Sequence, residues 1–191
     1  IHAWIGSNGG DALSTGRTNN LAVTADGTTA YVPMAWFGPK YLYRVDLTGS
    51  SNLRVLYRPP MLEVADAALN QAETRAYLID VTSQSLYQVD TDPTSPDYGT
   101  LSVLVDGSIH EPAQVSLSPD ETTLVVAYYG EHLMYIRASD GTVLGGRGVD
   151  SPQINGLALH PTQSLAYATT EDGSLREVEL DTDPPSTVVA S

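Results

Sequence analysis

Apolar positions along the chain fall in short runs that mostly alternate with polar ones, and turn-forming residues punctuate them. Four segments align without gaps. They are Leu21-Ala-Val-Thr-Ala-Asp-Gly-Thr-Thr-Ala-Tyr31, Ala67-Ala-Leu-Asn-Gln-Ala-Glu-Thr-Arg-Ala-Tyr77, Val115-Ser-Leu-Ser-Pro-Asp-Glu-Thr-Thr-Leu-Val125 and Leu157-Ala-Leu-His-Pro-Thr-Gln-Ser-Leu-Ala-Tyr167, spaced by 46, 48 and 42 residues. In each copy an apolar anchor (Val23, Leu69, Leu117 or Leu159) lies eight residues before an aromatic or branched residue (Tyr31, Tyr77, Val125 or Tyr167). A second motif follows at a nearly fixed offset: Leu42-Tyr-Arg-Val-Asp46, Leu86-Tyr-Gln-Val-Asp90, Leu133-Met-Tyr-Ile-Arg137 and Leu175-Arg-Glu-Val-Glu179. Weaker apolar runs at 53–56, 101–105, 142–144 and 187–189 close the units.

The spacing predicts four short strands per unit, A to D, separated by Asp-Gly, Ser-Pro, Gly-Pro and Asp-Pro punctuation. Residues 61–76 contain many good helix formers, but the same columns elsewhere hold Thr, Val, Ser-Pro and His-Pro. No helix tolerates that pattern, so strands are predicted there too. Four strands in about 40–50 residues is the period of a β-propeller blade. One such sheet cannot bury both faces alone, so neighbours must stack.

The predicted fold is therefore all-β, a β-propeller with four recognisable four-stranded blades, either closed or part of a larger propeller. The blades are expected at about 19–62, 63–110, 111–152 and 153–191. Residues 1–18 are expected to form a strand and turn, a closing strand or the remnant of a preceding blade. An open end exposing roughly 800 Å² would cost up to about 20 kcal/mol at ~25 cal/mol per Å². Folded domains are stable by only ~5–15 kcal/mol. An open arc should thus close on itself, pair with another copy as a homodimer, or belong to a larger parent chain. The start at Ile1 rather than Met carries the same expectation of a processed product or a piece of something longer.

The segments Leu21-Ala-Val-Thr-Ala-Asp-Gly-Thr-Thr-Ala-Tyr-Val32 and Val115-Ser-Leu-Ser-Pro-Asp-Glu-Thr-Thr-Leu-Val-Val126 resemble YVTN/lactonase-like β-propeller repeats. The resemblance runs over roughly residues 19–190. It implies six to eight blades in a typical member and a mixture of activities: lactonases, lyases, cofactor-enzyme subunits and binding modules. The Asp-Gly turn is intact only in the first unit, and the Trp-Asp pair of WD40 repeats is missing.

Composition narrows the chemistry. With 9 basic and 23 acidic residues the net charge is −14, and Lys40 is the single lysine. Such a surface repels phosphate backbones, so no nucleic-acid partner is expected. No apolar run approaches the ~18 residues of a membrane span, so no membrane insertion is expected. Cysteine is absent, which excludes disulfides, thiolate metal sites and Cys nucleophiles. The lack of cysteine and the scarcity of lysine point to an extracellular or periplasmic setting.

A site is expected where the D-to-A and B-to-C connections meet at one end of the blades. Two rings of equivalent positions converge there: Arg17, Glu63, Glu111 and Gln153, then Asn20, Asp66, Gln114 and Gly156. Carboxylate and amide oxygens suit hard cations, so Glu63, Asp66 and Glu111 are candidate ligands for Ca²⁺ or Mg²⁺. Polar residues around a water-filled channel would give the same pattern without any ion. Trp36, Phe37, Tyr128 and His132 in the B–C loops, with Arg17, Asn20, Gln114, Gln153 and Asn155, are the candidate contacts for a protein or small-molecule ligand. Inter-blade packing would equally place the aromatic residues there. No Gly-x-Ser-x-Gly or His-Glu-x-x-His motif occurs. The expected function is a non-catalytic interaction or ligand-binding module. One alternative is a lactonase-like hydrolase or lyase with a channel cation acting as Lewis acid, as the resemblance implies. Another is a domain or subunit of a larger redox or surface protein.

Overall fold

The computed structural model describes residues 21–33, 42–49, 53–57, 63–128, 130–149, 153–180 and 187–190. Arg17, Asn20, Trp36 and Phe37, with the expected strand over 1–18, lie outside the described residues.

Among the described residues every regular element is a strand, and the strands group by sequence repeat. The first sheet contains β1 (Ala22–Val23), β2 (Thr29–Pro33), β3 (Leu42–Asp46) and β4 (Leu53–Tyr57). The second contains β5 (Val64–Leu69), β6 (Arg75–Asp80), β7 (Ser85–Asp90) and β8 (Leu101–Val105). The third contains β9 (Pro112–Leu117), β10 (Thr123–Tyr128), β11 (His132–Arg137) and β12 (Val143–Gly148). The fourth contains β13 (Ile154–Leu159), β14 (Leu165–Thr170), β15 (Leu175–Glu179) and β16 (Thr187–Ala190). Each is an antiparallel meander in chain order, so the described part of the helix-favouring stretch, 63–76, contributes to two paired strands, with Ala67 opposite Leu78 and Leu69 opposite Ala76. Tertiary burial overrides local propensity there.

Pairing places alternate residues of each second strand on opposite faces, and in the two middle sheets both faces find a neighbour. On β6, Ala76 and Leu78 pack with Tyr31, Leu42 and Val64 toward the first sheet. The intervening Tyr77 and Ile79 pack with Ile109, Val115, Leu124 and Val126 toward the third. On β10, Val125 and Ala127 turn the other way, against Ile154, Ala166 and Ala168 of the fourth sheet. This double-sided burial is why β6 and β10 carry unbroken apolar runs, whereas sheets with one wet face alternate cleanly.

The four sheets thus stack in series, joined by three apolar interfaces, with β5 against β9 and β9 against β13 along the inner edge. No closure of the fourth sheet onto the first is seen among the described residues. The two ends differ from the middle. Leu21 is 50% and Val23 46% exposed, although the equivalent Leu69, Leu117 and Leu159 all pack against the preceding sheet. At the other end Tyr167 is half-buried, while its counterparts Tyr31, Tyr77 and Val125 are fully enclosed.

Candidate functional site

In a meander the B–C turns and D–A connections share one end of the stack, and the A–B and C–D turns share the other. The candidate residues lie at the first end. Glu63 precedes β5 and its carbonyl accepts the Val81 N–H at 3.1 Å; Gln153 precedes β13 and accepts Glu171 N–H at 2.9 Å. The first ring is therefore tied, in both described pairs, to the B–C turn of its own sheet. The Glu63 carboxylate accepts the Thr82 hydroxyl at 3.3 Å. Glu111 is exposed and holds a positive φ of 45° ahead of β9.

The second ring joins sheets to each other. Asp66 sits at a register shift of β5, 4% exposed. Its Oδ1 accepts the N–H of Ala67 at 2.8 Å and its Oδ2 the N–H of Val115, on β9 of the next sheet, at 2.9 Å. Gln114, one step on, donates from Nε2 to the Asn155 carbonyl at 3.0 Å, and its Oε1 is buried with no hydrogen-bond partner. Gly156 completes the ring without a polar side chain, and an added Cβ would lie 2.5 Å from the Thr169 hydroxyl. Among the described residues no three His, Asp or Glu groups converge as a metal site would require. Of the three expected ligands, Glu63 accepts the Thr82 hydroxyl and Asp66 serves the backbone N–H groups of Ala67 and Val115.

The B–C turns are built by short polar side chains. Asp80, fully buried at the end of β6, accepts the N–H of Glu63, Thr82 and Ser83 and the Ser83 hydroxyl. Ser83 in turn lies 3.1 Å from the Tyr87 hydroxyl. The repeat gives Asp80 the same column as Thr170, whose hydroxyl donates to Asp172 at 2.5 Å and Ser174 O at 3.1 Å. The Thr170 hydroxyl, then the Ser174 N–H, hold the Asp172 carboxyl well below its ordinary value. Buried polar groups at this end are mostly satisfied locally, as interior groups must be.

Two candidates do meet. The rings of Tyr128 and His132, opposite each other on β10 and β11, stack at 5.5 Å with a 23° tilt. Such offset stacking suits aromatic pairs. Burial raises the Tyr128 phenol above its usual value, while His132 is exposed. Asn155 is exposed and offers its carbonyl to Gln114.

Sequence reasoning missed a set of contacts at the opposite end. In the A–B turn of the second sheet Glu73 has φ 58°, and in that of the third Glu121 has φ 60°, the geometry Gly27 adopts in the first. Glu73 accepts the N–H of Ala25 in the preceding turn at 2.6 Å, and Glu121 accepts that of Gln71. Gln71 Nε2 also donates to Pro119 O at 2.7 Å. A side chain in the left-handed region costs on the order of 1–2 kcal/mol, offset here by a charge-assisted bond between sheets. The only available signal was a Glu in two repeats at the column of a turn glycine.

No family model and no curated protein sequence matches the chain. Solved structures do resemble it. A chain of a nidogen/laminin complex superposes with a TM-score of 0.73 at 14% identity, over 90% of this chain and 64% of that one. The hydrazine synthase of Kuenenia stuttgartiensis gives 0.69 at 14% identity, over 97% and 53%. A luciferin-regenerating enzyme gives 0.67 at 16% identity, over 90% and 57%. The fold is propeller-like. The chain spans between 53% and 64% of the length of these structures. At such identity the likeness concerns architecture alone. Among the described residues no helix is long and apolar enough to cross a membrane.

Proposed function

We propose that the chain is a non-catalytic, propeller-type binding module, related to the YVTN/lactonase-like repeats, which meets a protein partner through its B–C and D–A loop end. The observation that supports this reading is the exposed His132 stacked on half-buried Tyr128, at an end where the buried carboxylates Asp66 and Asp80 already serve the protein's own N–H and O–H groups. Aromatic pairs on a rigid strand end anchor partners at low entropic cost. The structural likeness to a chain from a nidogen/laminin complex is in keeping with a protein partner.

In this reading the four sheets are an arc of a larger ring. The exposed Leu21 and Val23 at one end of the stack and the half-buried Tyr167 at the other occupy columns that are covered wherever a neighbour exists. A photoreactive phenylalanine placed at position 132 tests the binding end. We expect partner cross-links from position 132 and none from position 94, in the C–D connection at the far end. Equal yields from both would discard the loop-end reading.

A further inference from the structure

The side-chain clasps on the A–B end stop at one interface. Ala25 and Gln71 offer backbone N–H groups to Glu73 and Glu121, but the equivalent residue of the third sheet is Pro119, which has none. Between the third and fourth sheets a cleft of about 420 Å³ opens beside this turn. That volume falls within the ~300–1,000 Å³ of small-molecule sites. Val125, Leu159 and Leu180 form its apolar part, with Leu144 of the edge strand β12 exposed alongside. Its rim is hydroxyl-rich, and among the described residues Asp120 is the only charged side chain lining it.

Asp120 is held in place. Its Oδ1 accepts the Ser118 hydroxyl at 2.5 Å and the Thr122 N–H at 3.1 Å, and its Oδ2 accepts the Thr122 hydroxyl at 2.9 Å. A carboxylate has about four acceptor sites, so one on Oδ2 is open to a further donor. Among the described residues no basic side chain lines the cleft, and the net charge of −14 raises the local concentration of cations.

We propose that this cleft binds a small organic cation on an aliphatic stem, an alkylammonium or alkylguanidinium, its charged head on Asp120 and its stem along Leu144 and Leu159. A neutral alcohol of the same length would lack the charge-assisted bond, and a carboxylate would be repelled.

The test is a methyl-NMR titration of the whole chain with hexylammonium, hexanol and hexanoate at equal ionic strength. Hexylammonium should shift the methyls of Val125, Leu144 and Leu159 saturably and bind about tenfold tighter than hexanol, the scale of one charge-assisted hydrogen bond. Asp120→Asn should remove that advantage. Because this change touches a turn, Leu144→Lys at an exposed edge position serves as the second variant, and it should weaken hexylammonium about tenfold through like charge. An Ac-Gly-Gly-Lys-Gly-Gly-amide peptide distinguishes sources: the same shifts assign a lysine side chain as ligand, and their absence assigns a free amine. Equal affinity for all three six-carbon probes, shifts scattered over the acidic surface, or no saturable shift would overturn the proposal.

Discussion

The second and third sheets, and the third and fourth, meet through the same strands in the same order, yet the two interfaces are differently held. Between the second and third, large side chains fill the core: Ile79, Leu86, Ile109, Leu124 and Ile136. A buried carboxylate, Asp66, receives the next sheet's N–H, and Glu121 clasps the turns. Gly141 in the C–D turn presses so close that its Cβ would lie 2.0 Å from the Leu104 carbonyl oxygen. Between the third and fourth, Ala127, Ala166 and Ala168 supply much of the core, a neutral amide replaces the carboxylate, and a proline removes the clasp. In a stacked repeat, stability is a sum of unit and neighbour terms, so small side-chain choices decide where the stack is tight and where it opens.

The largest effect is expected at Asp66. Asp66→Ala leaves the buried N–H groups of Ala67 and Val115 without their acceptor and should cost about 4 kcal/mol in denaturant unfolding. Gln114→Ala, its counterpart one interface on, should cost only about 1 kcal/mol. Equal losses would erase the contrast between the two interfaces. Gly141→Ala combines a positive φ of 75° with a backbone clash, and about 3 kcal/mol should be lost. Gly173→Ala, at φ 82° with open space around it, should lose about 1 kcal/mol.

A smaller effect sharpens the reading of the clasp. Glu121→Ala removes the bond and keeps the strained φ, for a loss of about 1.5 kcal/mol. Glu121→Gly removes the bond and relieves the strain together, so its thermal midpoint should lie near the parent's. If the Ala and Gly variants unfold together, backbone strain has no part in the turn.

How much of this was legible beforehand depends on the kind of interaction. The strands were visible because side-chain alternation and repeat register act on whole columns: Leu69 opposite Ala76 and Leu117 opposite Leu124 follow from the same alignment. Side-chain bonds between sheets were not, since Glu121 and Gln71 are 50 residues apart in chain and their columns show no apolar pattern. The burial of Asp80 was not legible either, because polarity alone cannot tell exposure from burial with four donors around it. Asp66 looked like a cation ligand for the same reason, and its oxygens proved to face peptide N–H groups.

The smallest effect is electrostatic. Hydroxyl and backbone donors in the A–B turns of the first and third sheets hold Asp26 and Asp120 below the ordinary 3.8; the Thr24 hydroxyl leads in one and the Ser118 hydroxyl in the other. Their folded forms bind fewer protons than the unfolded chain in acid. The stabilisation is therefore complete above about pH 4 and is lost as pH falls through the lower folded values. The second sheet builds the same turn on Asn70, whose Oδ1 accepts the Arg75 N–H at 2.8 Å without an aspartate. On acidification, protection from amide exchange relative to the intrinsic rate should thus be lost at Thr122 before Arg75, and the reverse order would exclude this origin.

The uncovered ends of the stack carry one further consequence. Leu21 and Val23 present one surface and Tyr167 a different one, so copies meeting through these ends would join head to tail. Such heterologous contacts have two geometric fates: a ring when the rotation closes, a growing filament when it does not. The angle between successive sheets, rather than the stickiness of either end, decides which of the two this polypeptide would build.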